Sequence, residues 1–306
     1  MKHWLILSIC AVFSIFTSHA KTLEAVHLTC EQIENPIGID MPCPRLSWQV
    51  QSDERNMYQT AFEIEVGTDR EMLKQGKRLV WKSGKVKSSE SLWIEYSGNK
   101  LKPFTRYYWR VRVFDRNNAV SEWSDIAWWE TSMLSEDDWA AEWIFDGSSA
   151  PEKEEDFYKD IPAPMFRKDF NLSAEIKEAR LYIAGLGYYE ASINGKKVGD
   201  HVLDPGWTNF GKQVLYSSYD ITDLLTAGNN AVGVILGNGF YNPIPMAVFR
   251  RLRNFLTIGQ PCLRAQIRIL YNNGRTETLG TDESWKWTKG PIMRNTVYLG
   301  ETYYAR

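Results

Sequence analysis

Residues 106–115 read RYYWRVRVFD. In an extended chain Tyr107, Trp109, Val111 and Val113 fall on one face, and Arg110 and Arg112 on the other. A period of two, one face apolar and the other charged, is the mark of a strand in an antiparallel sheet. The same alternation recurs in AFEIEVGT (61–68), where Phe62, Ile64 and Val66 oppose Glu63 and Glu65. It recurs again in CLRAQIRILY (262–271), where Leu263, Ala265, Ile267 and Ile269 oppose Arg264, Gln266 and Arg268.

Around the first of these lie RLSWQVQ (45–51), LVWKSGKV (79–86), SLWIEYSG (91–98) and IAWWET (126–131). Short strands in about 100 residues indicate an immunoglobulin-like or fibronectin type III sandwich. LKPFTRYYWRVRVFD followed by SEWS resembles the end of a fibronectin type III module. The stretch 134–164 is acidic and carries Gly, Ser and Pro. It reads as a linker that docks through its Trp residues, or else as a surface loop within one domain. Beyond it MFRKDFNL, EARLYIAG, YYEASING, VLYSSYDIT, NAVGVILGNG and TETLGTDESWKWTKG also suit strands. Asn194-Gly195 is the strongest short hairpin signal, and Asn272-Asn273-Gly274 marks another turn. Helix is scarce; DITDLLTAG suits one turn. The expectation is an all-β chain, with a signal peptide at 1–20 and a fibronectin type III-like sandwich at 21–133. After the linker at 134–164, a larger jelly-roll-type sandwich fills 165–306.

Composition narrows the function. The chain has 306 residues, 43 % hydrophobic and 24 % charged, which suits two globular domains. The net charge of −2 gives no electrostatic case for nucleic acid or an anionic membrane surface. The N-terminus has a short basic start at Lys2 and His3, an apolar run from Trp4 to Phe16, and small residues at Ser18 and Ala20. That pattern predicts export to the periplasm or the exterior, with cleavage after Ala20. The apolar run is shorter than the roughly 20 residues a spanning helix needs, so no membrane segment is expected after cleavage. Cys30, Cys43 and Cys262 then remain. Cys30 and Cys43 are close enough in sequence to pair, but three buried thiols is the favoured expectation.

Little catalytic machinery is visible. After cleavage two histidines are left, His27 and His201, in different predicted domains and without a ligand-spaced partner. A zinc site or a Ser-His-Asp triad would need one of them, so neither a metal nor a cofactor is expected. GLGYYE (185–190) lacks the third glycine and following helix of a dinucleotide loop. The carboxylates Glu190, Asp200, Asp204, Asp220 and Glu301 lie in segments with no sign of the deep burial that raises an acid's pKa. Asp204 opens a DPGW turn and Asp220 is placed to cap the turn after it.

Two loops look specialised. VLDPGWTNFGK sets Asp204 and Trp207 among turn residues, and LGNGFYNPIP carries Asn238, Phe240, Tyr241 and Asn242 between glycines. Rings beside amides on a loop can hold a sugar, ring against ring with the amides on hydroxyls. They serve equally to pack one domain on another.

These loops also carry a family resemblance. GLGYYEASINGKKVGDHVLDPGWTNFGKQVLYSSYDITDLLTAGNNAVGVILGNGFYN (185–242) closely resembles the N-terminal domain of bacterial α-L-rhamnosidases. NPIGIDMPCPRLSWQV (35–50) resembles the family's opening, and GPIMRNTVYLGETYYAR (290–306) resembles the handover to its next domain. One departure is Tyr304, where the family's GE-x-YDAR pattern has Asp. The resemblance implies an inverting glycosidase that removes terminal L-rhamnose and keeps its catalytic carboxylates in a later (α/α)6 barrel. No position here corresponds to those carboxylates. The stretch from Trp143 to Phe166 is too short for the calcium-dependent module that some relatives insert. The chain is then expected to be the non-catalytic front of such an enzyme. Its partner would be the remaining domains, in cis or as a split product, and a rhamnose-containing glycan would be a further ligand. The bulky ending at Tyr298, Leu299, Tyr303 and Tyr304 fits that reading. A stand-alone carbohydrate-binding protein and a structural or adhesive module are the alternatives.

Overall fold

The structure, a computed structural model, describes residues 23–149, 155, 159–242 and 257–305. The signal-peptide reading, part of the acidic linker and the Pro243–Pro245 end of the second loop lie outside the described residues. The chain divides into two compact units. One comprises the described residues up to Glu34, with Cys43–Asn99 and Tyr107–Trp128. The other comprises Asn35–Pro42, Lys100–Arg106 and the described residues from Trp129 onward.

The smaller unit is a β-sandwich. Strands β1 (Glu24–Cys30), β2 (Arg45–Gln51) and β6 (Ile94–Glu95) form a three-stranded sheet in that order. A second sheet runs β4 (Leu79–Lys82), β3 (Ala61–Gly67), β7 (Arg106–Phe114), β8 (Ala127–Glu130), with β5 (Val86–Lys87) also on β3; the strand-end residues Arg106, Trp129 and Glu130 count with the larger unit. The alternation in β3 and β7 places the core as expected: Phe62, Ile64, Val66, Tyr107, Trp109, Val111 and Val113 are all buried. Trp48 closes the core with its ring edge on Phe62 at 5.1 Å, and its indole N–H donates to the buried Gln59.

The charged face of that sheet is not open to water, as alternation alone suggests. Glu65 and Arg110 are buried. Register sets Glu63 opposite Arg112 and Glu65 opposite Arg110. Opposite charges directly across a ladder neutralise each other, and Arg110 donates to Glu65 at 2.7 Å. The Trp123 ring then covers both guanidinium groups, at 4.3 and 4.7 Å. Ser121 and Ser124 of the SEWS stretch accept from the backbone N–H of Val113 and Val111, in place of a neighbouring strand.

The larger unit is a second sandwich. One sheet runs β13 (Ser217–Asp220), β10 (Ile176–Leu186), β15 (Cys262–Tyr271), β16 (Thr276–Gly280). The other runs β12 (Lys196–Lys197), β11 (Tyr189–Ile193), β14 (Gly228–Leu236), β9 (Pro164–Leu172), β17 (Lys286–Lys289). The core between them is built from Phe166, Leu181, Ile183, Ile193, Val232, Val234, Leu263 and Ile267 among others. β11 and β12 are joined by the expected hairpin, with Asn194 and Gly195 both at positive φ (51° and 79°), the type I′ geometry that matches strand twist. A final hairpin, β18 (Ile292–Thr296) and β19 (Gly300–Tyr303), follows. Among the described residues three thiols are free: Cys30 is buried, Cys262 half-buried and Cys43 exposed. The expectation of three buried thiols therefore fails at Cys43.

Candidate functional site

The loops singled out in the sequence meet at one end of the larger sandwich. β10 turns into β11 through Gly187, and β14 runs into the LGNGF loop. At Gly187 (φ 123°) a Cβ would lie 2.3 Å from the carbonyl oxygen of Gly237. The backbones touch there, and Gly237 donates its N–H to the carbonyl of Tyr188 at 2.6 Å. The glycines of GLGYYE therefore let two loops approach; they do not cradle a phosphate. Gly187→Ala is expected to destabilise the fold by about 1–3 kcal/mol, read as a lower urea midpoint; an unchanged midpoint would show the contact can relax freely.

That contact sets the rings. Phe240 stacks on Trp207 at 4.5 Å with planes 13° apart. Tyr188 and Tyr298 meet Phe240 edge-on at 6.2 and 6.3 Å. The cluster is open to solvent, with Trp207 55 % and Tyr298 52 % exposed. Leu299, Tyr303 and Tyr304 of the last hairpin are exposed as well. Pairs of this geometry contribute about 0.5–1.5 kcal/mol each beyond area burial, so the Trp207 ring is held in a defined orientation although half of it faces water.

The amides beside the rings are engaged internally. Asn238 is buried; its backbone N–H donates to Asn295 Oδ1 at 2.6 Å and its Nδ2 to the Asn295 carbonyl at 2.8 Å. Asn242 Nδ2 donates to Asn238 Oδ1 at 3.0 Å. These bonds tie the LGNGF loop to β18. Tyr241 packs edge-on to Phe210, further along the Trp207 loop, at 5.4 Å and against Gly259.

Asp204 anchors the Trp207 loop. Its Oδ2 accepts from Ser217 Oγ at 2.5 Å, Tyr189 Oη at 2.6 Å and Tyr219 Oη at 2.8 Å, and lies 3.1 Å from His201 Nδ1. The Asp204 carbonyl accepts from the Tyr189 N–H, and the Asp204–Pro205 peptide is cis. Burial pushes the carboxyl's pKa up. The hydrogen bonds from Ser217, Tyr189, Tyr219 and His201 outweigh that and hold it below the usual carboxylate range. Burial, with the Asp204 hydrogen bond behind it, pushes the Tyr189 phenol far up, so it stays a donor.

The structure thus brings Trp207 and Phe240 together at the surface. Asp204, Asn238 and Asn242 lie beneath as supports, and Tyr241 packs on Phe210. Sequence reading missed Tyr188, Asn295 and the Tyr189–Ser217–Tyr219 donor set. Tyr298 was visible only as a bulky residue near the end. Among the described residues no group of three or more His, Cys, Asp or Glu side chains could hold a metal ion, and no helix is long and apolar enough to cross a membrane.

Residues 174–306 match the family model described as the alpha-L-rhamnosidase N-terminal domain. Residues 25–135 match the Rha78A-like N-terminal immunoglobulin domain. An alpha-L-rhamnosidase of Formosa agariphila is 39 % identical over 287 residues, covering 89 % of this chain and 30 % of the relative. One from Alteromonas sp. is 34 % identical, covering 89 % and 30 %. Among solved structures, the alpha-L-rhamnosidase from Dictyoglumus thermophilum superposes with a TM-score of 0.82 at 39 % identity, covering 93 % of this chain and 32 % of that one. The chain spans about a third of the length of the curated relatives it matches.

Proposed function

From the chain's membership of the α-L-rhamnosidase family, by its two N-terminal domains, we propose that it is the non-catalytic front of an exported α-L-rhamnosidase. In this reading the Trp207–Phe240–Tyr298 cluster is the face that docks the remaining domains. The observation that carries it is the cluster itself: stacked rings, half exposed, on loops braced from below by Asp204 and Asn238. Exposed aromatics on a rigid support are what the centre of an interface is made of. The hydrolase chemistry belongs elsewhere in such an enzyme. A glycosidase's general acid needs a raised pKa. Among the described residues the carboxylates with a clear shift, Glu31, Asp169, Asp204 and Asp282, are all held low.

The test is to produce separately the part of the Formosa agariphila relative that follows its matched region, and to titrate it with this chain. Association is expected, weakened about 30-fold by Trp207→Ala or Phe240→Ala, the effect of losing a central anchor of about 2 kcal/mol. No association, or association indifferent to both substitutions, would remove the docking role. Turnover of an aryl rhamnoside by this chain alone would remove the non-catalytic one. Export is checked by N-terminal sequencing of the secreted chain, which should begin at Lys21.

A further inference from the structure

The outer face of the five-stranded sheet carries a groove of about 700 Å³ away from the aromatic loops. It lies toward the Asn194 and Asn229 ends of β11 and β14, whereas the rings sit beyond the other end of β14. The two are roughly 25 Å apart at about 3.4 Å per residue. β9 supplies one wall. With Phe166 and Leu172 turned to the core, Arg167, Asp169 and Asn171 point outward and are exposed. Opposite them in register stand Gly233, Ala231 and Asn229 of β14. Of these Ala231 and Asn229 line the groove, and at Ala231 a ligand can come close to the backbone.

The polar atoms of the wall are pre-set. Arg167 Nε and Nη2 both donate to Asp169 Oδ1, at 3.0 and 2.7 Å. Asn171 Nδ2 donates to Asn229 Oδ1 at 2.9 Å. Each pair fixes two side chains and leaves the other half of each unused by it: Arg167 Nη1, Asp169 Oδ2, Asn171 Oδ1 and Asn229 Nδ2. Among the described residues no hydrogen bond occupies these atoms. The end wall is rigid, because Asn194 is locked by bonds to the Leu224 carbonyl, Asn230 Oδ1 and the Ala231 N–H.

We propose that this groove is a saccharide-binding site, separate from the docking face. A sugar hydroxyl both donates and accepts, so donors and acceptors set side by side suit adjacent hydroxyls. The Arg167–Asp169 pair cancels its own charge, while Lys286 stands opposite Arg167 across the ladder. Apart from Phe170 and Ala231 the lining residues are polar or charged, a mixture that suits a ring with hydroxyls on it. The volume falls within the range of small-molecule sites, about 300–1,000 Å³, and side chains already held in place lower the ordering cost of binding.

The groove and the docking face stand on different residues, so one can fail without the other. The test is calorimetric titration of the chain with a panel of neutral sugars: L-rhamnose, D-galactose and L-arabinose. At least one is expected to bind, and Asp169→Ala and Asn171→Ala should each weaken it about tenfold, the usual effect of losing a bond to a charged or paired group. Both positions are exposed, and an unchanged melting temperature confirms that each variant is folded. If no sugar of the panel binds, or if binding survives both substitutions, the proposal is wrong.

Discussion

Glu130→Ala is expected to lower the stability of the larger unit by about 3–5 kcal/mol, the cost of breaking a buried ion pair on one side. Glu130 is at the centre of a charge cluster within that unit. Its Oε1 accepts from Arg180 Nε at 2.8 Å, and its Oε2 from Arg106 Nη2 at 2.8 Å and Arg180 Nη2 at 3.2 Å. The Glu130 and Arg180 side chains are 8 % and 6 % exposed. Removing the carboxylate leaves two guanidinium groups sharing what Glu178 and Asp220 can offer. At roughly 2–4 °C per kcal/mol for a unit of this size, the melting temperature should drop by about 10 °C.

Two comparisons isolate the cause. Glu130→Gln keeps an acceptor and should lose less. Asp169→Ala removes the carboxylate of an exposed, solvent-screened pair and should leave the melting temperature nearly unchanged. A Glu130→Ala chain that melts within about 2 °C of the parent would show that Glu178 and Asp220 already neutralise both arginines.

The contrast between these pairs also shows what alternation in the sequence conveys. It assigns faces correctly: Trp109, Val111, Ile64, Leu263 and Ile267 are all buried. It does not say what lies over the polar face. Glu65 and Arg110 carry an exposed pattern and are buried, because register pairs them and Trp123 covers them. Strand β1 escaped notice because its register shifts between Val26 and Thr29, with His27 at φ 48°, and a bulge interrupts a period of two. The short helix α1 (Arg70–Lys74), capped by Asp69, is too brief to develop a helical period. VLYSSYDIT reads as one strand from Val214, yet only Ser217–Asp220 pairs, along the edge of β10.

At the candidate site the rings and amides were legible because turn residues set Trp207 and Phe240 apart from the strands. Their division of labour was not. Asp204 reads as a turn opener, and its partners come from β11, β13 and a loop. No sequence spacing announces that Tyr189, Ser217 and Tyr219 will converge on one oxygen. The same limit hid Asn295, which braces Asn238 from the last hairpin.

Asp204→Ala should cost about 3 kcal/mol near neutral pH and progressively less in acid. Three hydroxyl donors lose their acceptor at once, two of them on the buried tyrosines Tyr189 and Tyr219. A buried donor left unsatisfied costs about 1–3 kcal/mol; Tyr189 and Tyr219, 3.5 Å apart, can relieve one another in part. The pH dependence follows from the direction of the shift. The folded carboxyl is held below its unfolded value. The ionised anchor therefore contributes in full above the unfolded pKa, about 4, and its contribution is lost as pH falls through the lower folded value. Urea midpoints of parent and variant should differ by a constant amount above about pH 5 and draw closer as pH falls below the unfolded pKa. A gap of equal size at both ends would mean that shape, not the charge on Asp204, holds the loop. Because the loop carries Trp207, the variant should also dock more weakly at neutral pH. An intact docking affinity in a destabilised Asp204→Ala chain would show that the Phe240 stack alone orients the ring.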